Sequence, residues 1–171
     1  MSYPIRRLLA FQLDCACIVF WGVVLFGLTM LLNDGAMPDA SSPWRGQLIG
    51  LLSMTLPVLL TFTWMESSRG ATLGKRLQHL RVVTSKGIPP SFRQALARNA
   101  LKFLPWELGH LVAHQAFHAG DAAAPTWLYL PMVLSMALPI WFVLGLFRGG
   151  RTPYDRVGGT AVVPLGQKAG S

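Results

Sequence analysis

The sequence predicts an all-α integral membrane protein: a bundle of four transmembrane helices with both termini in the cytoplasm. Hydrophobic residues make up 52% of the 171-residue chain and charged residues only 13%, and the mean hydropathy is +0.43. A chain of this size and composition is too apolar for a soluble domain. The basic residues fall between long apolar stretches, as the positive-inside rule describes. We therefore expect one membrane domain over residues 1–171.

The first two spans are predicted at about 8–32 and 47–65. As a helix, the first stretch rises about 37 Å, more than the roughly 30 Å that the hydrocarbon core requires. The second stretch has no charged residue and contains Pro57 near its middle, where a missing backbone donor is expected to kink the helix. The segment between them, 33–46, is rich in Asp, Ser, Pro and Gly and is expected to be an external loop.

Segment 66–102 is the most basic part of the chain and is predicted to be the cytoplasmic loop between helices 2 and 3. Within it, 80–84 has the composition of a strand or an extended turn. Two interpretations compete for 100–118, a third span with a polar inner face or an interfacial helix. The basic segment 66–102 and the basic tail after residue 147 are both expected on the cytoplasmic side, so an even number of spans must lie between them. This favours a span at 100–118 in addition to the one at 127–147. The fourth span is predicted at 127–147, followed by a cytoplasmic tail, 148–171.

Composition also narrows the classes of function. The net charge of +8 would suggest nucleic acid as the partner of a soluble protein. Here the basic residues are explained by membrane topology, so no nucleic acid partner is expected. Cys15 and Cys17 point in different directions on one helix and are expected to be packing residues. No nucleophile and base occur in paired positions, so we expect neither an enzyme nor a bound cofactor or metal.

Three separated motifs occur in order along the chain. The first, R-x-x-A-x-x-x-D, runs from Arg7 to Asp14; the second, G-x-T-x-G-K-R, runs from 70 to 76; the third, D-R-x-x-G-T-x-V-V, begins at Asp155. Together they resemble the RDD family of small bacterial membrane proteins, named for one arginine and two aspartates. The resemblance implies that the arginine and the two aspartates of the family name are Arg7, Asp14 and Asp155 in this chain, and that the chain lies in the inner (cytoplasmic) membrane of a bacterium. The sequence departs from the family pattern at Tyr154, where His is common.

The resemblance implies transport as the activity, since some members of the family are linked to sodium/proton antiport. Other members look like assembly partners of larger membrane complexes. The sequence is accordingly interpreted as a small transporter, a cation (sodium)/proton exchanger. The alternative is a non-catalytic assembly or interaction subunit. Four helices leave little room for a passage, so a homo-oligomer is expected if the chain transports, and a membrane partner protein if it is an assembly subunit.

Asp14 is the central candidate residue, because an acid inside a membrane span is costly and is by default functional. It lies about two turns, or roughly 10 Å, from Arg7, too far for a direct hydrogen bond along one straight helix. Asp14 is predicted either to bind a monovalent cation or proton, with Arg7 setting its field, or to join an Arg–Asp network that holds helices together. Asp155 is expected to order the tail through Arg151, Arg156 or an arginine of the basic loop.

Two further groups of residues are candidates. Glu107, His110, His114 and His118 are spaced three, four and four residues apart and form one stripe on a helix. Three interpretations stay open for this stripe: a polar face towards the bundle interior, a proton relay, or a metal site completed by other helices. The basic loop contributes side chains that are expected to contact anionic lipid headgroups or to be structural, namely Arg69, Lys75, Arg76 and Arg81.

Overall fold

The computed structural model describes residues 2–36, 41–120 and 123–166. Four long helical rods and two short helices form most of this part of the chain. The helical elements are α1 (Tyr3–Leu32), α2 (Pro43–Gly50), a π-helical turn (Leu51–Thr55), α3 (Leu56–Arg69), α4 (Leu73–Leu77), α5 (Phe92–Ala119), a 3₁₀ turn (Thr126–Leu128), α6 (Tyr129–Gly149) and α7 (Pro153–Val157). Two strands complete the fold, β1 (Leu80–Thr84) and β2 (Thr160–Pro164). The chain is therefore mainly helical, as the sequence predicts.

Three helices are long and apolar enough to cross a membrane. They cover Tyr3–Leu32, Pro43–Arg69 and Thr126–Arg148, and so include the predicted spans at 8–32, 47–65 and 127–147. The predicted span at 100–118 lies inside α5, which is not one of these three. The physical reason is composition, because α5 includes Arg98, Lys102 and Glu107 together with three histidines.

The helices pack around α5, which contacts α6, α3 and α2. By contrast, α1 packs chiefly against the short helix α4 and touches the π-helical turn. Helix α4, the two strands and α7 lie together at one end of the bundle, where α7 contacts α5 and β2. We call this the basal end.

A two-stranded antiparallel sheet at the basal end departs from a purely α-helical fold. It pairs β1 with β2, and Val82 lies opposite Val162. Leu80, Val82 and Val162 are buried against Ala10 of α1. The tyrosine hydroxyl of Tyr3 donates to the carbonyl of Val162, which fastens the start of α1 to the sheet. The strand interpretation of 80–84 is confirmed, and the hydrophobic contact explains why the segment is extended rather than helical.

The irregular turn in the second span has an identifiable cause in Pro57. Proline has no N–H to donate to the carbonyl four residues earlier, that of Ser53, and its ring crowds that carbonyl. The backbone adapts with a π-helical turn, in which the N–H of Leu56 donates to the carbonyl of Leu51. The carbonyl of Ser53 instead accepts from the indole N–H of Trp21 on α1, at 3.2 Å. The expected disruption at Pro57 is thus used to join two helices.

We expect Trp21→Phe to lower the free energy of unfolding by about 1–3 kcal/mol, because it leaves a buried carbonyl without a donor. In a protein that also carries Pro57→Ala, the N–H of residue 57 can donate to the carbonyl of Ser53. Trp21→Phe should then lower the free energy of unfolding much less. Thermal unfolding of the four proteins in a mild detergent measures the coupling. An equal loss of stability in both backgrounds would contradict this account.

Candidate functional site

Seven ionisable side chains from five helices meet near the basal end. Six are buried and Lys102 is half-buried. We call this set the charged cluster; its members are Arg7, Asp14, Glu66, Lys75, Arg98, Lys102 and Asp155. Burying charges is expensive unless they are paired and hydrogen-bonded, so the pairing within the cluster determines what each group can do.

Asp14 is 1% exposed and is held by the start of α4. Its Oδ1 accepts from the backbone N–H of Gly74 at 2.9 Å, and its Oδ2 accepts from the hydroxyl of Thr72 at 2.7 Å. The ammonium of Lys75 lies 3.8 Å from Oδ2. Arg7 is not among the partners of Asp14, in agreement with the separation expected along one helix.

The glycine at position 74 permits this approach. A Cβ built on Gly74 would lie 2.1 Å from the carbonyl oxygen of Ala10 and 2.8 Å from Oδ1 of Asp14. Both distances are well below van der Waals contact. The second motif therefore places a residue without a side chain where the backbones of α4 and α1 touch.

Glu66, at the end of α3, is fully buried and was not among the sequence candidates. Its Oε1 accepts from the ammonium of Lys75 at 2.8 Å. Its Oε2 accepts from the amide of Asn99 at 3.1 Å and lies 3.6 Å from Nε of Arg98. The signal that could have identified it is its isolation, since it is the one acid in segment 66–102.

Asp155 joins α7 to α1 and α5. Its Oδ2 accepts from Nη2 of Arg7 at 2.7 Å, and its Oδ1 lies 3.2 Å from Nη2 of Arg98. Thr152 caps α7 by donating its N–H and its hydroxyl to the same carboxylate. Burial alone would raise the pKa of Asp155, but the charges of Arg98 and Arg7 and the hydrogen bonds of Thr152 lower it to about 2. The ion pairs of Asp155 are formed with Arg7 and with Arg98, an arginine of the basic segment 66–102.

Lys102 differs from the other cations of the charged cluster. Across the described ranges, no carboxylate oxygen lies within 4 Å of its ammonium. Instead the ammonium lies 5.2 Å from the ring centre of Phe11, 5.4 Å from that of Phe62 and 5.9 Å from that of Phe103. Cation–π attraction of this kind offsets only part of the cost of burying a charge.

Two cavities meet at Asp14 and Lys102. The larger, of about 360 Å³, lies between α1 and the pair α5 and α6 and extends to Arg7, Lys75 and Arg98. The smaller, of about 150 Å³, lies between α1 and the second span and extends to Thr55. Four side chains line both cavities: Phe11, Asp14, Lys102 and Trp106.

The stripe on α5 is only partly assembled into a polar network. Glu107 accepts from the amide of Gln47 at 2.8 Å and from the hydroxyl of Thr55. The ring of His110 packs on Trp106, with centroids 4.5 Å apart, and Nδ1 of His118 lies 3.0 Å from the carbonyl of His114. Within the part of the chain that the structure describes, no three His, Cys, Asp or Glu side chains are grouped as a metal site.

The four basic-loop candidates differ in position. Lys75 is buried and binds carboxylates, so its ammonium is not presented to headgroups. Arg69 and Arg76 are exposed, and the guanidinium of Arg69 lies over the ring of Trp64 at 5.2 Å. Arg81 is half-buried in β1.

These features define a multi-pass membrane protein whose spanning helices are joined at one end by buried ion pairs. The arginine and the two aspartates of its motifs all belong to the charged cluster. The family model described as the RDD family matches residues 2–159, so the chain belongs to the RDD family. No curated protein and no solved structure matches the chain.

Proposed function

We propose that this RDD protein is a small transporter that exchanges a monovalent cation, such as sodium, for a proton at Asp14. The observation that carries the proposal is that Asp14 is one of the four residues that line both cavities. An exchange site must be reached from two directions, and a buried acid inside a span is the group that such a site requires.

The hydrogen bonds around Asp14 are suited to competition between cations. Lys75 is 3.8 Å from Asp14 but already donates to Glu66 at 2.8 Å and to the hydroxyl of Thr72 at 3.2 Å. A cation that binds Asp14 can therefore displace Lys75 towards Glu66 without leaving the ammonium unpaired. A proton on Asp14 would compete for the same carboxylate, which is the coupling that exchange needs.

The smaller cavity suggests the route on the far side of Asp14. Thr55 lines this cavity, and its hydroxyl donates to Glu107. Glu107 and the histidines that follow it on α5 would then form the outer half of the path, as a proton relay. Under this proposal α5 is a fourth membrane-crossing helix over 100–118, with its polar face inside the bundle.

We expect Asp14→Asn to reduce sodium-driven proton flux at least tenfold, because the amide can neither bind a cation by charge nor exchange a proton. The assay uses the purified chain in proteoliposomes with an internal pH dye and an imposed sodium gradient. Asp34→Asn is the matched control, since Asp34 is exposed and far from the charged cluster in sequence.

Unchanged flux in Asp14→Asn would contradict the proposal, provided that both proteins give the same melting temperature and gel-filtration profile. Absence of flux from the native chain would contradict it as well.

The second candidate is a membrane assembly subunit, and the density of ion pairs in the charged cluster favours it. Asp14, Glu66 and Asp155 each have at least two polar partners, and together they join α1, α3, α4, α5 and α7. In that role the network stabilises a surface for another membrane protein. Native-like folding without flux would favour this candidate.

Both candidates share several further proposals. The chain is placed in the bacterial inner membrane with both termini in the cytoplasm, and exposed Arg69 and Arg76 at the basal end contact anionic headgroups. As an exchanger it would work as a homo-oligomer. In neither role is it an enzyme, and in neither does it need a cofactor.

A further inference from the structure

The larger cavity has a strongly asymmetric lining. Its charged end consists of Arg7, Lys75, Arg98 and Lys102 with one carboxylate, that of Asp14. Most of the remaining lining is apolar or aromatic and comes from α1, α5 and α6; it includes Leu8, Phe11, Trp106, Phe142, Val143 and Leu146. A volume of about 360 Å³ is in the range of small-molecule sites.

The charged end of this cavity has an excess of positive charge. The charged cluster contains four cations and three carboxylates, and each carboxylate already lies within 4 Å of a cation. Lys102 has no carboxylate oxygen within 4 Å of its ammonium among the described residues, and the ammonium lies near the rings of Phe11, Phe62 and Phe103. Arg98 is 1% exposed, and its Nη1 has no hydrogen-bond acceptor among the described residues. Both side chains line the larger cavity and are chemically suited to an oxyanion.

The apolar part of the cavity is a gap between helices. Helix α1 is held by α4 and the π-helical turn, while α5 and α6 pack on each other. Phe11 of α1 and Val143 of α6 line the gap and are 44% and 41% exposed, so the gap continues to the outer surface of the bundle. In a membrane this surface faces acyl chains, which gives an amphiphile a lateral entry.

We propose that the larger cavity binds an amphiphile with one oxyanion head and an alkyl body. The head pairs with the ammonium of Lys102, with the buried guanidinium of Arg98 adding positive charge at this end of the cavity, and the body lies between α1 and α6. An inorganic anion would leave the apolar walls uncovered. This site does not depend on the exchange activity proposed above, because it needs neither flux nor protonation of Asp14.

The test measures quenching of tryptophan fluorescence by brominated probes, since Trp106 lines the cavity. The purified chain in neutral detergent is titrated with a brominated twelve-carbon fatty acid and with the brominated alcohol of the same length. We expect saturable quenching by the acid and at least tenfold weaker quenching by the alcohol. Inorganic phosphate should not displace the acid.

Lys102→Met should weaken binding of the acid at least tenfold, whereas the control Lys86→Met, at an exposed turn, should leave it unchanged. Val143→Trp keeps every charge but fills the gap, and it should also abolish saturable binding of the acid. Because this variant adds an indole, its binding is measured with the radiolabelled acid and not by quenching. This second variant keeps the test decisive if Lys102→Met does not fold.

Competition by phosphatidylglycerol but not phosphatidylcholine would support the proposal and identify a bilayer lipid as the source of the head. Binding of the acid without such competition would support it with a free fatty acid as the ligand. Equal binding of acid and alcohol, displacement by phosphate, or native affinity in both Lys102→Met and Val143→Trp would overturn it.

Discussion

Gly74→Ala is expected to prevent α4 from docking on α1. The added Cβ would lie 2.1 Å from the carbonyl oxygen of Ala10, which is part of the α1 backbone and cannot rotate away. Overpacking against backbone at such a distance should cost about 3 kcal/mol or more. It should also separate the N–H of residue 74 from Asp14. The measurement is the yield and melting temperature of the protein in detergent.

Gly109→Ala is the matched control for this substitution. Nothing lies within 4 Å of a Cβ built on Gly109, which is in the middle of α5. Replacing a helical glycine with alanine should stabilise by about 0.5–1 kcal/mol. If the Gly74→Ala and Gly109→Ala proteins melt at the same temperature, the contact between α4 and α1 is not the one described here.

Glu66→Gln is expected to lower the free energy of unfolding by about 3–5 kcal/mol. The substitution keeps the shape of the side chain but leaves the cations of Lys75 and Arg98 without one of their buried counter-charges. The carboxylate that is lost lies 2.8 Å from the ammonium of Lys75 and 3.6 Å from Nε of Arg98. The measurement is thermal or denaturant unfolding of the purified protein at neutral pH.

Asp34→Asn serves as the control, because Asp34 is exposed and asparagine readily adopts its positive φ of 47°. It should change stability by less than about 0.5 kcal/mol. A stability loss of the same size in both variants would show that Glu66 is not a central member of the network.

Local patterns were sufficient to predict the three helices that are long and apolar enough to cross a membrane. Apolar length predicted 8–32, 47–65 and 127–147, and Pro57 marked the place where the second span becomes irregular. A local pattern also fixes the start of α5, where Ser91 and Gln94 form a capping box with both of its hydrogen bonds present. These predictions succeed because each depends on residues within a few turns of one another.

The pairing inside the charged cluster depends on contacts that no local pattern specifies. Asp14 was predicted to bind a cation or proton or to join an Arg–Asp network, and its closest partners are the hydroxyl of Thr72 and the backbone N–H of Gly74. Arg98 and Lys102 were counted as part of a basic loop, whereas α5 carries them into the bundle. Strand β2 was not predicted, because its partner β1 lies 80 residues earlier in the sequence.

The Arg7–Asp155 pair cannot form until nearly the whole chain has been synthesised. Its two residues are separated by 148 positions in sequence. At about 5–20 residues per second, the ribosome needs roughly 7–30 s to extend the chain from the arginine to the aspartate. Throughout that interval the guanidinium must be satisfied by water, headgroups or an insertion factor. The first helix is therefore made early but reaches its final environment only when α7 has emerged, which makes the unfinished protein a natural substrate for membrane quality control.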